Sequence, residues 1–124
     1  MKSDCRGVSN TPFEDFDTQA GTLRAPVVLA EGTSNGTALK LPGVGRFMFL
    51  QKTGAIANSG SLAGSIEESA DGSTGWTAIG SFMAAGANTI QKLYATTTKQ
   101  WVRHVAVVTG GGSGTVASDA AVVY

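Results

Sequence analysis

The sequence predicts an all-β protein: a single β-sandwich, jelly-roll-like, with about eight strands and an extended N-terminal arm. Three observations carry this. Short runs rich in Val, Ile, Thr, Phe and Trp recur along the 124 residues, each bounded by Gly, Asn, Asp or Pro. That is the punctuation of strands and turns. Residues 61–69 (Ser-Leu-Ala-Gly-Ser-Ile-Glu-Glu-Ser) alternate, with Leu62, Gly64, Ile66 and Glu68 on one side and Ala63, Ser65, Glu67 and Ser69 on the other. No segment makes a convincing helix, and eight strands is the count of a two-sheet jelly roll. A chain of this length suits one domain with its own core.

Taken in order, residues 1–25 show no usable periodicity and are assigned to the arm. Phe13 and Phe16 lie three apart among Glu14, Asp15 and Asp17. Pro12 before them and Gly21 after them argue against a helical turn. Two readings stand side by side: a strap across the arm's own sandwich, or aromatic anchors in a neighbour's pocket, since aromatics are enriched at interfaces. The sandwich is placed at residues 26–124.

Residues 26–30 (Pro-Val-Val-Leu-Ala) form a short strand, with proline at its permitted first position. Asn35-Gly36 is a hairpin signal, and residues 37–41 alternate into a second strand. Residues 46–52 form a third, whose centre, Phe47-Met48-Phe49-Leu50, is apolar on both faces. One face is assigned to the core and the other to a subunit contact. Residues 61–69 make the fourth strand, Asp71-Gly72 turns the chain, and residues 76–82 and 89–95 make the fifth and sixth. Residues 101–109 are a central strand, with Trp101, Arg103, Val105 and Val107 on one face and Val102, His104, Ala106 and Val108 on the other. Arg103 on such a strand needs a partner, either an aromatic ring or one of Glu67 and Glu68. The glycine run 110–114 is read as a flexible connection to a last strand, 115–124, ending at Tyr124.

Composition excludes several function classes. Nine basic and nine acidic residues give zero formal net charge, and no basic stripe for nucleic acid is visible. No apolar run approaches the ~18 residues of a membrane-spanning helix, and Met1-Lys2-Ser3-Asp4 lacks the apolar stretch of a secretory leader. Charged residues make up 15% of the chain, below the ~25% of ordinary domains. Low charge with no net sign favours association.

Motifs for chemistry fail on context. Residues 109–115 (Thr-Gly-Gly-Gly-Ser-Gly-Thr) follow an apolar strand as a dinucleotide loop does, but too little chain follows for the required helix, strand and ribose-binding acid. One histidine and one cysteine cannot build a zinc cluster. His104 has no nucleophile elbow to serve. Glu67 and Glu68 are adjacent on a strand, so they point to opposite faces and cannot converge on one glycosidic bond. No catalytic residue, metal site or cofactor is assigned. Trp76 and Trp101 are read as core packing, with a sugar-stacking platform as the alternative that their exposure decides.

Residues 61–109 carry a resemblance. Glu68-Ser69-Ala70-Asp71-Gly72-Ser73, then Trp76-Thr77, then Trp101-Val102-Arg103-His104-Val105 and the Val108-Thr109-Gly110 ending resemble the small β-sandwich structural proteins of tailed bacteriophage virions, capsid cement or decoration proteins among them. The resemblance implies a non-enzymatic protein at the capsid surface of a virion. Its partners would be the major capsid protein and copies of itself, as dimer or trimer. Interface residues on this reading are Phe13, Phe16, Phe47, Phe49 and Tyr124. A tail or head–tail connector component and a carbohydrate-binding β-sandwich module are the alternatives.

Overall fold

The computed structural model describes residues 19–123, and these form an all-β, jelly-roll-like sandwich. The strands are β1 (Gln19–Asn35), β2 (Leu39–Lys40), β3 (Gly45–Ile56), β4 (Ser61–Ser69), β5 (Thr77–Ser81), β6 (Ile90–Thr97) and β7 (Trp101–Val122). A 3-10 turn, Ala57–Ser59, joins β3 to β4. Pairing is antiparallel throughout, in the order β5-β4-β7-β3-β6, with β1 and β2 also on β7.

The hydrogen-bonded ladder is continuous because β1 and β7 each serve both layers. The first half of β7 pairs with β4, from Ser69↔Trp101 to Ser61↔Thr109, and with β2 and the end of β1. Its second half pairs with β3, from Ile56↔Gly114 to Phe47↔Val122, and with the start of β1. Between the halves the β1–β7 register breaks, from Gly32↔Val108 to Ala30↔Ser113. The glycine run is therefore part of β7 rather than a connection between two strands. Gly110 and Gly112 take φ of 78° and 83°, which side-chain-bearing residues seldom adopt, and the bulge they form carries the strand from one sheet to the other.

Two sequence expectations about the start of the domain change. Residues 19–25 belong to β1, with Leu23 buried in the core, so the sandwich takes in the last part of the predicted arm. Residues 1–18 lie outside the described residues. Asn35-Gly36 does not close a hairpin. β1 stays extended along β7, and the Gly36 amide donates to the His104 carbonyl at 2.7 Å. A 22-residue partner strand offers β1 an edge along its whole length, and this outweighs the local turn preference. Asp71-Gly72, by contrast, does lie in the loop that turns β4 back into β5.

The core lies between the layers. Phe47, Phe49 and Ala120 come from one, Ile66 and Val102 from the other, and Leu23, Leu41 and Phe82 belong to the same cluster. A second cluster, Leu62, Ala106, Val108 and Val116, sits near the bulge. The face of β4 chosen from alternation, Leu62, Gly64, Ile66 and Glu68, is the buried one.

A polar chain with one direction crosses this core. Arg24 Nε donates to His104 Nδ1 at 3.1 Å, so the other ring nitrogen carries the proton and donates to Gln51 Oε1 at 2.7 Å. Gln51 Nε2 donates to Gln91, and Gln91 Nε2 to the Met83 carbonyl. Arg24 also donates to the Ser34 hydroxyl and carbonyl and to the His104 carbonyl, tying the two ends of bent β1 together. Gly64 leaves room for the His104–Gln51 bond: a Cβ there would lie 1.7 Å from Gln51 Oε1.

Candidate binding face

Alternation leaves each layer an outer face, and the two differ. On the β3–β6 layer, Phe47, Phe49, Gln51 and Thr53 point inward, so Arg46, Met48, Leu50 and Lys52 point out. On β6 the outward residues are Ile90, Lys92, Tyr94 and Thr96. The register sets Met48 opposite Tyr94, Leu50 opposite Lys92 and Lys52 opposite Ile90. Tyr94 is 50% exposed and Ile90 65%. The Arg46 guanidinium lies over the Tyr94 ring, 5.4 Å from its centre. Ala121 and Asp119 of β7 continue the rows of Met48 and Leu50. The result is an apolar strip centred on a tyrosine, with Arg46, Lys52 and Lys92 around it and Asp119 as the acid within it.

The outer face of the β4–β7 layer is internally matched. Arg103 and Glu67 are cross-strand partners. Arg103 Nε donates to Glu67 Oε1 at 2.9 Å, its terminal nitrogen lies 2.7 Å from the same oxygen, and the guanidinium stacks over Trp76 at 4.3 Å. Both partners expected for Arg103, ring and acid, are thus engaged. Trp101 lies against the hairpin turn, where a Cβ on Gly72 would come within 2.7 Å of its ring. Trp76 and Trp101 are both half-buried on this outer face and neither belongs to the core clusters, which corrects the core-packing reading. Trp101 projects outward because it shares alternation with Arg103, not with Val102 and His104, and Trp76, just before β5, lies on the same side under the Arg103 guanidinium.

The turn itself is held by its own polar groups. Asp71 accepts from the Ser73 and Thr74 amides and the Thr74 hydroxyl, and Ser69 accepts from the Asp71 and Gly72 amides. These bonds hold the Asp71 carboxyl well below the usual carboxylate range. Buried Glu68 accepts from the Thr98 and Lys99 amides and the Thr98 hydroxyl. Burial works to raise its pKa, but these bonds and the Lys99 charge prevail and hold it lowered.

The sequence-assigned interface residues separate. Phe47 and Phe49 are buried at 3% and 0% exposure. On β3 the outward positions are Met48 and Leu50 instead, because the strand's phase sets its two phenylalanines toward the opposite sheet. Phe13, Phe16 and Tyr124 lie outside the described residues. Tyr94 and Ile90 were missed. Their signal was alternation in β6, where Gln91, Leu93 and Ala95 occupy the inward phase.

His104 is no base for catalysis here. It is fully buried, both ring nitrogens are engaged, and burial followed by the Arg24 charge pushes its pKa down to about 4. Among the described residues no group of three His, Cys, Asp or Glu could hold a metal ion, and no helix is long and apolar enough to cross a membrane.

No protein-family model matches the chain, and no curated protein matches it either. Solved structures do. A carbohydrate-binding module (CBM6cm-2) of Cellvibrio mixtus lichenase 5A, in complex with cellotriose, aligns with a TM-score of 0.53 at 15% identity, over 90% of this chain and 94% of that one. Chitosan-binding module 1 of a chitosanase/glucanase from Paenibacillus sp. IK-5 aligns at 0.48 and 16% identity, over 77% and 74%. The C-terminal CBM6 module of LamC, from Zobellia galactanivorans, aligns at 0.47 and 10% identity, over 88% and 94%. The first of these likenesses establishes a shared β-sandwich fold.

Proposed function

We propose that this chain is a non-catalytic binding module that engages its ligand through the outer face of β3 and β6, and that the ligand is a carbohydrate chain. The observation that carries this is Tyr94, half exposed on a regular strand row, with Arg46 stacked on its ring and Lys92 beside it. An aromatic face accepts the apolar face of a sugar ring, while neighbouring cations donate to hydroxyls. The fold shared with a module solved with cellotriose supports the ligand class. The test is affinity electrophoresis or a glycan array with the full chain and with Tyr94→Ala. Retention on a polysaccharide that falls about tenfold in the variant, ~1.4 kcal/mol, is the expected result. No retention on any glycan, or retention indifferent to Tyr94, overturns it.

A second reading is favoured by a separate observation. Met48, Leu50 and Ile90 give the same face more aliphatic surface than a sugar needs, and Tyr, Met and Arg together are the composition of protein interfaces. On that reading the chain is a virion subunit that clamps major capsid proteins and pairs with its own copies, as the resemblance of residues 61–109 implies. Many weak contacts repeated over a lattice would supply the avidity. Light scattering on the full chain, and co-sedimentation with isolated phage heads, test it. A monomer that ignores heads sinks it.

A further inference from the structure

Each layer of the sandwich ends in an edge strand, and the two edges differ. β5 is five residues long, and its pairing with β4 shifts register between Ile66 and Glu67. A short, bulged edge is a poor template for another chain. β6 runs eight residues beside β3 with no register shift, and among the described residues it has a ladder partner on that side only. The Thr53 amide donates to the Thr89 carbonyl at 2.8 Å, which fixes the phase of the ladder. Gln91, Leu93, Ala95 and Thr97 turn their backbone groups toward β3, while Ile90, Lys92, Tyr94 and Thr96 turn theirs to the open side. The side chains of these same four residues are exposed on the outer face.

We propose that a second copy of this chain pairs antiparallel along β6, across a two-fold axis at Leu93, and joins the two Tyr94 faces into one. Hydrogen bonding and charge select this register. Centred on Leu93, Ile90 faces Thr96 of the second copy and Lys92 faces Tyr94 of the second copy, so every open N–H and C=O of the four residues is used. Centred on Lys92, like charges would stand directly opposite each other. Centred on Tyr94, Ile90 would face Thr98, whose amide is already bonded to Glu68. The Leu93 register lays each lysine ammonium against a tyrosine ring. It also brings the two half-buried Leu93 side chains together on the axis. The two Tyr94 residues become diagonal neighbours, about 7–8 Å apart, so the second copy contributes a second ring to the site. The pairing stands on the edge itself; its use as a two-ring platform rests on the carbohydrate reading.

Sedimentation and light scattering of the full chain, without ligand, test the pairing. The expected result is a dimer that dissociates on dilution. Thr96→Pro removes an amide that faces the open side and no ladder bond within the chain. It should weaken the dimer at least about tenfold, as the loss of two symmetry-related hydrogen bonds requires, while circular dichroism shows the fold retained. Leu93→Cys in a Cys5→Ser chain should cross-link to its own copy under mild oxidation, because residues opposed in a non-hydrogen-bonded pair lie about 4.5 Å apart. Ile90→Cys, which faces Thr96 rather than itself, should not. A monomer at every concentration overturns the proposal. So does a dimer that Thr96→Pro does not weaken and Leu93→Cys does not trap. Because no ligand is present, failure of the pairing leaves the Tyr94 reading standing, and failure of that reading leaves the pairing.

Discussion

The two outer faces of this sandwich are built on neighbouring strands of one ladder, yet they solve opposite problems. On the β4–β7 face every large group has a partner in the chain: Arg103 holds Glu67 and covers Trp76, and Trp101 rests on the Asp71-Gly72 turn. On the β3–β6 face Tyr94 and Ile90 stand in solvent, with Arg46 lying on the tyrosine ring. A face that satisfies itself contributes to stability. A face that leaves apolar area open costs a little and is available to something else. The difference teaches that tryptophan, the residue most tempting as a binding platform, is here a structural group, while the plainer β6 row carries the open surface.

The largest expected effect removes both faces together. Gly64→Ala would force a Cβ into the His104–Gln51 bond on which both layers rest. We expect a loss of about 3 kcal/mol or more, from overpacking and an orphaned buried polar group, read by chemical denaturation. Wild-type stability would show that the polar chain does not couple the layers.

Acid should do something similar reversibly. The folded pKa of His104, about 4, lies below its ordinary 6.5. The unfolded chain therefore binds the extra proton first. Stability from this group is complete above pH 6.5 and declines as pH falls from 6.5 toward 4, by up to about 3 kcal/mol. Glu68, whose pKa is also lowered from 4.5, adds a loss of the same sign further down. Denaturation midpoints measured across pH 7 to 4 check this, and His104→Gln should flatten the upper part of the profile. A flat wild-type profile contradicts the buried neutral imidazole.

Arg103→Ala separates the faces. It strips Trp76 and leaves Glu67 unpaired, for an expected loss of about 1–2 kcal/mol. Ligand binding through Tyr94 should be unchanged. Tyr94→Ala is the reverse and the smallest in stability, within about 0.5 kcal/mol as for other surface changes, while binding falls about tenfold. If Tyr94→Ala melted the fold and Arg103→Ala did not, the contrast drawn between the faces would be inverted.

Particular residues show where sequence reading succeeded. Alternation in Ser61–Ser69 assigned the buried face correctly, because side chains on a strand have no choice but to alternate, whereas in residues 101–109 both faces are largely apolar and alternation sorts the residues without choosing between them. The Asp71-Gly72 turn was legible because its hydrogen bonds are made within six residues. The face of Phe47-Met48-Phe49-Leu50 was not, since a strand apolar on both sides gives alternation nothing to distinguish. The tryptophans were misplaced because size argued for the core, while phase relative to His104 decided otherwise for Trp101 and stacking under Arg103 for Trp76. The open face escaped because Tyr94 and Ile90 are an ordinary pair in sequence. Only the register with Met48 and Lys52 makes them a surface.

The sequence by itself determined the class: all-β, turns at Gly, Asn and Asp, no helix to nucleate, and enough apolar residues for two facing sheets. These are local consequences of backbone preference and of a two-residue repeat. The tertiary structure alone decided that β1 and β7 run unbroken from one layer to the other and that Asn35-Gly36 does not turn back. It also decided that the one histidine is buried neutral between Arg24 and Gln51. Each depends on a partner far away along the chain, 80 positions for Arg24 and His104. A strand's choice between turning and continuing is settled by the edge it finds waiting, which no local pattern records.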